Sequence, residues 1–143
     1  MMRDLASRLV PVQIFGPATL DADNTPSALD LAGCNSAVIL LSVGAGGITF
    51  TSTNKVEFKL THSEDNVTYD AVTTDDVQGV TVASGGIIRS LTAAKAAADT
   101  APTEVGYVGG RRYLKLLADF GGTHATGTPM SAVLVKGNSV YKP

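Results

Sequence analysis

Short runs of alternating apolar and polar residues recur along this chain of 143 residues, separated by clusters of turn-forming residues. The clearest run is KVEFKLT at 55–61, in which Val56, Phe58 and Leu60 occupy every second position. Because successive side chains of a β-strand point to opposite faces, this spacing predicts a strand with one buried face and one solvent-exposed face. The continuous apolar run AVILLSV at 37–43 instead predicts a strand that is buried on both faces.

Further strands are predicted at similar intervals along the chain, each bounded by residues that favour turns. They are residues 67–72, 77–82, 87–91, 104–108, 111–120 and 130–137. About seven or eight short strands of this kind indicate an all-β fold, an antiparallel β-sandwich that is either jelly-roll or immunoglobulin-like in strand order. The alanine-rich segment 93–99 favours helix in composition but is short, so we expect at most a turn or two, or an ordered excursion.

The first residues of the chain differ from this pattern and predict a separate, extended arm. Leu5 and Leu9 would lie on one face of a short helical turn that Pro11 ends, and the following VQIF would be extended. A Gly-Pro pair then marks a break between elements. We therefore predict two units, an N-terminal arm at 1–16 and a β-sandwich domain at 17–143.

The composition narrows the classes of partner. Charged residues make up 17% of the chain and hydrophobic residues 44%, whereas globular proteins average about 25% charged residues. The surface is therefore expected to be unusually neutral and suited to contact with other protein. A net charge of −2 provides no basic field that would attract nucleic acid or anionic lipid, so neither is expected as a partner. The N-terminal residues lack the continuous apolar region of a signal peptide, so synthesis in the cytoplasm is expected.

The stretch VGYVGGRRYLKL at 105–116 places two glycines beside Arg111 and Arg112, a composition that can cradle a phosphate. A phosphate-binding loop requires its glycines to lead into a helix N-terminus. After Gly110, however, apolar residues recur at every second position, which predicts a strand. We therefore expect a hairpin corner in which glycine supplies a positive φ angle. The two arginines would then point to opposite faces of the sheet, where one of them could pair with a neighbouring subunit.

The remaining reactive residues form no catalytic or metal-binding pattern. His62 and His124 each fall in a predicted turn or loop without a second ligand at metal-binding spacing, so both are expected to be solvated loop histidines. Cys34 has no neighbouring histidine and is expected to be a small packing residue. The acidic residues between positions 64 and 76 do not match a calcium-binding loop, so exposed turn carboxylates are favoured over a calcium site. We expect no enzyme activity, cofactor or resident metal.

Three segments resemble small structural proteins of tailed bacteriophages. SALDLAGCNSAVILLSVG at 27–44 is similar to a first-strand pattern of that family, and KVEFKLTHSEDNVTYDAV at 55–72 is similar to its central hairpin. EVGYVGGRRYLKLLADF at 104–120 resembles the signature VGYVGSKRYVR, with Gly110 and Arg111 in place of Ser and Lys. The last segment is the most specific of the three.

The resemblance covers about residues 27–137 and leaves out the arm and the alanine-rich segment. It implies a structural protein located in the virion, and it carries over no catalytic, cofactor-binding or metal-binding residue. A small, neutral, β-rich domain with a separate arm suits a decoration or cement protein on the outer surface of the capsid. A neck or tail component of the same virion is the alternative.

The partners expected for a decoration protein are the major capsid protein and neighbouring copies of the chain, with a trimer favoured. An arm that becomes ordered on contact gains interface area without requiring a larger core. The candidate interface residues lie in the arm and after the Gly-Gly pair. They are Leu5, Leu9, Val12, Ile14, Phe15, Arg111 and Arg112.

A carbohydrate-binding β-sandwich is the third hypothesis and belongs to a different functional class. It would require exposed aromatic side chains grouped on one face of a sheet. The chain has no Trp, and aromatic residues make up only 6% of it. The tyrosines that could contribute are Tyr69, Tyr107, Tyr113 and Tyr141.

Overall fold

The computed structural model describes residues 2–137, which contain ten strands and two short 3-10 turns. The all-β class predicted from the alternating pattern is confirmed. No helix in this part of the chain is long and apolar enough to cross a membrane. The strands are β1 (Val10–Leu20), β2 (Leu29–Asp30), β3 (Ser36–Val43), β4 (Lys55–Ser63), β5 (Asp70–Ala71), β6 (Val77–Gln78), β7 (Ile87–Leu91), β8 (Thr103–Tyr107), β9 (Tyr113–Gly121) and β10 (Thr128–Gly137), and the 3-10 turns are Ala6–Arg8 and Thr74–Asp76.

The strands form two antiparallel sheets that pack against each other as a sandwich. Sheet A has the order β1-β10-β3-β8-β6, and sheet B has the order β2-β9-β4-β5, with β7 also pairing with β4. Eight strands pair in a nested series from the ends of the chain inwards: β1 with β10, β2 with β9, β3 with β8, and β4 with β7. The chain is thus a long hairpin rolled into two sheets, which is the jelly-roll order rather than the immunoglobulin-like one.

One apolar core lies between the sheets and is built from alternate residues of each strand. The spacing of Val56, Phe58 and Leu60 correctly predicted the buried face of β4, because all three are fully buried. Burying a side chain of this size stabilises a fold by about 1.5–3 kcal/mol. The other central strands contribute in the same way through Ile39, Leu41 and Val43 of β3, Val105 of β8, Leu114, Leu116 and Ala118 of β9, and Met130, Ala132 and Leu134 of β10.

Two predicted strands are much shorter in the structure than the alternation suggested. Residues 67–72 pair only over β5, and 77–82 only over β6. The Asp65 carboxylate accepts hydrogen bonds from the backbone N–H groups of Val67 and Thr68, at 2.9 Å each. Such side-chain acceptors hold the backbone in a turn, so the strand cannot begin until the loop has ended.

The alanine-rich segment 93–99 forms no helix and is the ordered excursion allowed by the sequence. Asp99, the last residue of this segment, fixes its position through polar contacts. Its carboxylate accepts two hydrogen bonds from Arg89 and pairs with Lys95 at 2.9 Å, and these contacts lower its pKa well below the ordinary range. The backbone of Asp99 also donates to Val43, whose N–H donates back to the carboxylate. Specific polar contacts therefore override the helical preference of the alanines.

The Gly109-Gly110 pair is not the hairpin corner predicted from the sequence. It follows β8, which lies in sheet A, and precedes β9, which lies in sheet B. The two strands therefore do not pair, and the turn carries the chain from one sheet to the other. Gly110 does supply the expected positive φ, at 76°. The local conformation was predictable from the glycines, whereas the sheet that each strand joins depends on distant partners.

The predicted boundary between an arm at 1–16 and a domain at 17–143 does not match the structure. Strand β1 crosses that boundary and pairs with β10 along its length. Phe15 is buried in the core and pairs with Ala132 across the two strands. Within the predicted arm, the residues before β1, which include the 3-10 turn, lie outside the sheets. Residue 1 of the predicted arm and residues 138–143 of the predicted domain lie outside the described part of the chain.

This boundary gives a direct stability prediction. At concentrations where the chain is monomeric, removal of residues 1–8 should leave the free energy of unfolding nearly unchanged, because the described residues of that segment are exposed. Phe15→Ala should lower it by about 3 kcal/mol, because the ring leaves a cavity in the core. Urea unfolding followed by circular dichroism measures both. A large loss in the truncated chain, or no loss in Phe15→Ala, would contradict the assignment of Phe15 to the domain.

Candidate interaction surface

The outer face of sheet B has the polar character expected of a sheet in water. Ion pairs link neighbouring positions on this face: Lys55 lies 3.3 Å from Glu57, and Lys59 lies 2.6 Å from Asp119. The Asp119 contact raises the pKa of Lys59, mainly through its hydrogen bond. Exposed pairs of this kind contribute only about 0–1 kcal/mol each to stability. They do show that solvent covers this face in the isolated chain.

The centre of the outer face of sheet A, formed by β3 and β10, is apolar instead. Val38 and Leu40 of β3 lie directly across from Val135 and Val133 of β10, and all four side chains are half-buried. They belong neither to the core nor to the side chains packed on it. The other outward positions of these two strands are Ser, Pro or Gly, so none of them carries a charge. We call Val38, Leu40, Val133 and Val135 the outer apolar face.

A hollow of about 420 Å³ lies at one end of the outer apolar face. It exists because small residues, among them Gly106 of β8, stand where other strands carry side chains. Val38 and Val135 form its apolar walls, and Leu9 lies at its rim. Among the described residues that line it, Glu104 is the one that carries a charge.

A second cavity, of about 590 Å³, lies between the loop 31–37 and the turn 106–112. It shares Ser36, Ala37, Gln78 and Gly106 with the hollow, so the two form one continuous groove. Cys34 lines this second cavity and is partly exposed.

Tyr107 fixes the turn that borders this groove. Its side chain is buried, and its hydroxyl oxygen accepts a hydrogen bond from the backbone N–H of Arg111 at 3.0 Å. The same hydroxyl lies 2.8 Å from Nδ1 of His62. A Cβ atom on Gly109 would approach the Tyr107 ring to 2.8 Å, so only glycine fits beside it. Tyrosine, histidine and glycine therefore form one packed unit where the chain changes sheets.

His62 is not the solvated loop residue predicted from the sequence. It lies in β4 and is 4% exposed. Burial, followed by the nearby Arg111 guanidinium, lowers its pKa, although Asp76 opposes the shift from 4.0 Å. The Tyr107 hydroxyl accepts from Arg111 and has one proton to donate; donation of that proton to Nδ1 would place the His62 proton on Nε2, which faces Asp76. The sequence could not show this because the tyrosine lies on a distant strand.

His124 is also packed rather than solvated. Its Nε2 lies 2.8 Å from the carbonyl oxygen of Gly121, and its ring contacts Phe50 and Phe120. Nδ1 is buried and has no hydrogen-bond partner. Among the described residues, no group of three or more His, Cys, Asp or Glu side chains could hold a metal ion.

The two arginines predicted to meet a partner are paired within the chain. Arg111 contacts Asp70 at 2.7 Å, and Arg112 donates a hydrogen bond to each carboxylate oxygen of Asp30, both at 2.9 Å. The Arg112 hydrogen bond lowers the pKa of Asp30 to about 2. Both arginines line the second cavity, but their charges are already neutralised. Their ion pairs connect the turn before β9 to β5 and β2, so neither arginine is a free cation.

The arm residues predicted to meet a partner separate into two groups. Phe15 is buried, and Val12 and Ile14 pack against the core, so these three serve the fold. Leu5 is 63% exposed, and Leu9 lies at the rim of the hollow. Only the second group is placed to contact another molecule.

The sequence did contain a signal for the outer apolar face, although none of its residues was among the predicted interface residues. The run AVILLSV predicted a strand buried on both faces, and its inward side chains are indeed in the core. Its outward side chains, Val38 and Leu40, have no covering layer within residues 2–137. The similar VLV of β10 places Val133 and Val135 beside them.

Comparison of the chain with protein-family models, curated proteins and solved structures found no match.

Replacement of Tyr107 tests the packed unit at the turn. Tyr107→Phe should lower the free energy of unfolding by about 1–3 kcal/mol, because it leaves buried polar groups without their partner. Tyr69→Phe is the matched control, since the Tyr69 hydroxyl bonds to Asn66 at an exposed site, and should change stability by less than about 0.5 kcal/mol. Equal effects in urea unfolding would mean that the Tyr107 hydroxyl does not hold the turn.

The lowered pKa of His62 also predicts how stability varies with pH. As pH falls below the ordinary value of 6.5, the unfolded chain binds a proton more readily than folded His62 does. The free energy of unfolding should therefore decrease with falling pH, by at most about 1.4 kcal/mol per pH unit. His62→Gln cannot be protonated and should remove this slope above pH 4. An unchanged slope in the variant would assign the effect to another group.

Proposed function

We propose that this chain is a structural component of a tailed-bacteriophage virion and that it decorates the outer surface of the capsid. The observation that carries the proposal is the outer apolar face of sheet A, which a neighbouring protein would cover. The proposed role is one of assembly and stabilisation rather than catalysis, and it uses no cofactor. Its location is the virion, and its partners are the major capsid protein and other copies of the chain.

The character of sheet A supports a protein partner. An antiparallel sheet in a sandwich normally alternates apolar residues inwards with polar residues outwards. Contiguous apolar patches that depart from this rule mark interaction sites. Here Gln13, Ser42, Ser131 and Glu104 lie around the outer apolar face. An apolar centre with a polar rim is the usual anatomy of a protein–protein interface.

The fold and the resemblance support a virion rather than another assembly. Jelly-roll sandwiches are used by viral capsid proteins, although the same strand order occurs in lectins and cupins. The resembling segments correspond to central parts of the sandwich: 27–44 contains β2 and β3, 55–72 contains β4 and β5, and 104–120 contains most of β8 and β9. The resemblance therefore concerns the strands that build both sheets.

A neck or tail component is the second candidate within the same virion. The outer apolar face would serve equally well in a ring of subunits around a tail. The two roles differ in copy number, since decoration covers the whole capsid lattice. Copy number is therefore the quantity that separates them.

The carbohydrate-binding alternative receives less support. Tyr69 and Tyr113 are the partly exposed aromatic residues near the outer side of sheet B, but a cation covers a face of each ring. Lys115 lies 4.3 Å from the Tyr69 ring centre, and Arg112 lies 5.0 Å from that of Tyr113. Tyr107 is buried, and Tyr141 lies outside the described residues. The aromatic faces that would stack on a sugar are thus partly occupied.

Quantitative mass spectrometry of purified particles tests the proposal. Decoration predicts a simple fixed ratio to the major capsid protein, and a neck or tail role predicts few copies per particle. Val133→Asp should abolish incorporation, because it places a charge in the outer apolar face. Leu117→Asp is the matched control, since Leu117 is a half-buried outward residue of β9 in sheet B. Absence of the wild-type chain from particles would overturn the virion proposal, and equal incorporation of both variants would overturn the role of sheet A.

A further inference from the structure

We propose that two copies of this chain associate by exchanging their N-terminal segments, residues 2–8, each of which docks in the hollow of the other copy. This goes beyond the proposed function, because it names the segment and the site through which copies meet. The proposed exchange does not require that the chain be part of a virion.

The N-terminal segment carries apolar side chains that its own chain leaves uncovered. Met2 is 99% exposed and Leu5 is 63% exposed. In the described part of the chain, the only other large apolar residues this open are Val67 and Val108. The 3-10 turn at Ala6–Arg8 buries none of its residues. Burial of Leu5 in an apolar site would therefore stabilise a complex formed by this segment.

The hollow offers such a site close to where the segment joins β1, because Leu9 lies at its rim. Its walls are Val38 and Val135, and Gly106 leaves its floor free of a side chain. Extended, the segment could span about 23 Å, while a sheet of five strands is about 19 Å wide. The segment is therefore long enough to cross the outer side of a neighbouring sheet A.

The charges of the segment and the hollow are complementary. Arg3 and Arg8 flank Leu5, and neither forms an ion pair within residues 2–137. Glu104, the one charged residue that lines the hollow, also has no ion-pair partner among those residues. Asp4 is occupied by a hydrogen bond from the backbone N–H of Ser7. A docked segment would thus bring Arg3 and Arg8 to Glu104, and none of the three has an ion-pair partner within residues 2–137.

The position of Leu9 favours exchange between two copies. Leu9 lies at the rim of the hollow and immediately precedes β1. The N-terminal segment of one copy therefore leaves the surface beside the hollow in which the segment of the other copy would dock. A patch that contains both halves of a contact is satisfied by a two-fold axis, which gives a closed pair. A closed pair differs from the trimer expected for a decoration protein, and the oligomeric state separates the two.

Sedimentation velocity on the full-length chain tests the exchange. The wild-type chain should form a dimer, and Leu5→Asp should weaken self-association by about ten-fold or more. Val67→Asp is the control, because Val67 is 81% exposed on a loop away from the hollow, and it should leave the dimer unchanged. A wild-type monomer, a trimer, or a dimer that survives Leu5→Asp would overturn the proposal.

Charge reversal identifies the hollow as the docking site. Arg3→Glu/Arg8→Glu in one chain and Glu104→Arg in another should each be monomeric, since each places like charges together. An equimolar mixture of the two should form a dimer, because each segment then meets a hollow of opposite charge. Failure of the mixture to associate would overturn exchange, as expected if the segment docks on its own chain or on the capsid. Incorporation into particles is a separate measurement, so failure of this proposal and failure of the virion proposal are distinguishable.

Discussion

Burial of one apolar face of each sheet against the other is the constraint on which the rest of this structure depends. The central strands that supply that core come from distant parts of the chain: Ile39 of β3 lies across from Leu134 of β10, and Phe58 of β4 lies across from Ala118 of β9. Because the two strands of each of these pairs are far apart in the sequence, no short segment can bury its apolar side chains alone. The nested jelly-roll pairing is the consequence, because it brings both ends of the chain into one sheet.

This constraint also decides what the N-terminal residues do. Strand β1 covers the outer edge of β10, and Phe15 completes the core beneath it. A separate arm that extended to residue 16 would leave that edge unpaired and that part of the core open to water. Within the predicted arm, only the residues before β1 escape this requirement, and residues 2–8 are exposed.

The sequence predicted those features that depend on local patterns. Alternation identified β4 and β9, a continuous apolar run identified β3, and the recurrence of short strands indicated the sandwich. The sequence predicted a turn at 62–66 and allowed an ordered excursion at 93–99, but it did not show how far the Asp65 side chain would extend that turn or that Asp99 would fix the excursion. It also missed the burial of His62, because that depends on Tyr107 of the other sheet. The outer apolar face was visible as a run of branched residues, but the sequence could not show that only one side of β3 would find a partner.

The two outer faces of the sandwich differ in a way that constrains how partners are recognised. The arginines near the groove are held by Asp30 and Asp70, and Arg89 is held by Asp99, so their charges are satisfied within the chain. The outer apolar face is left without charges on β3 and β10. Recognition through that face would therefore depend on shape and apolar contact, which salt screens little. Contacts of the N-terminal segment would depend partly on exposed charges and would weaken as ionic strength rises. A single chain of this design could thus separate two kinds of contact, one that persists in high salt and one that responds to it.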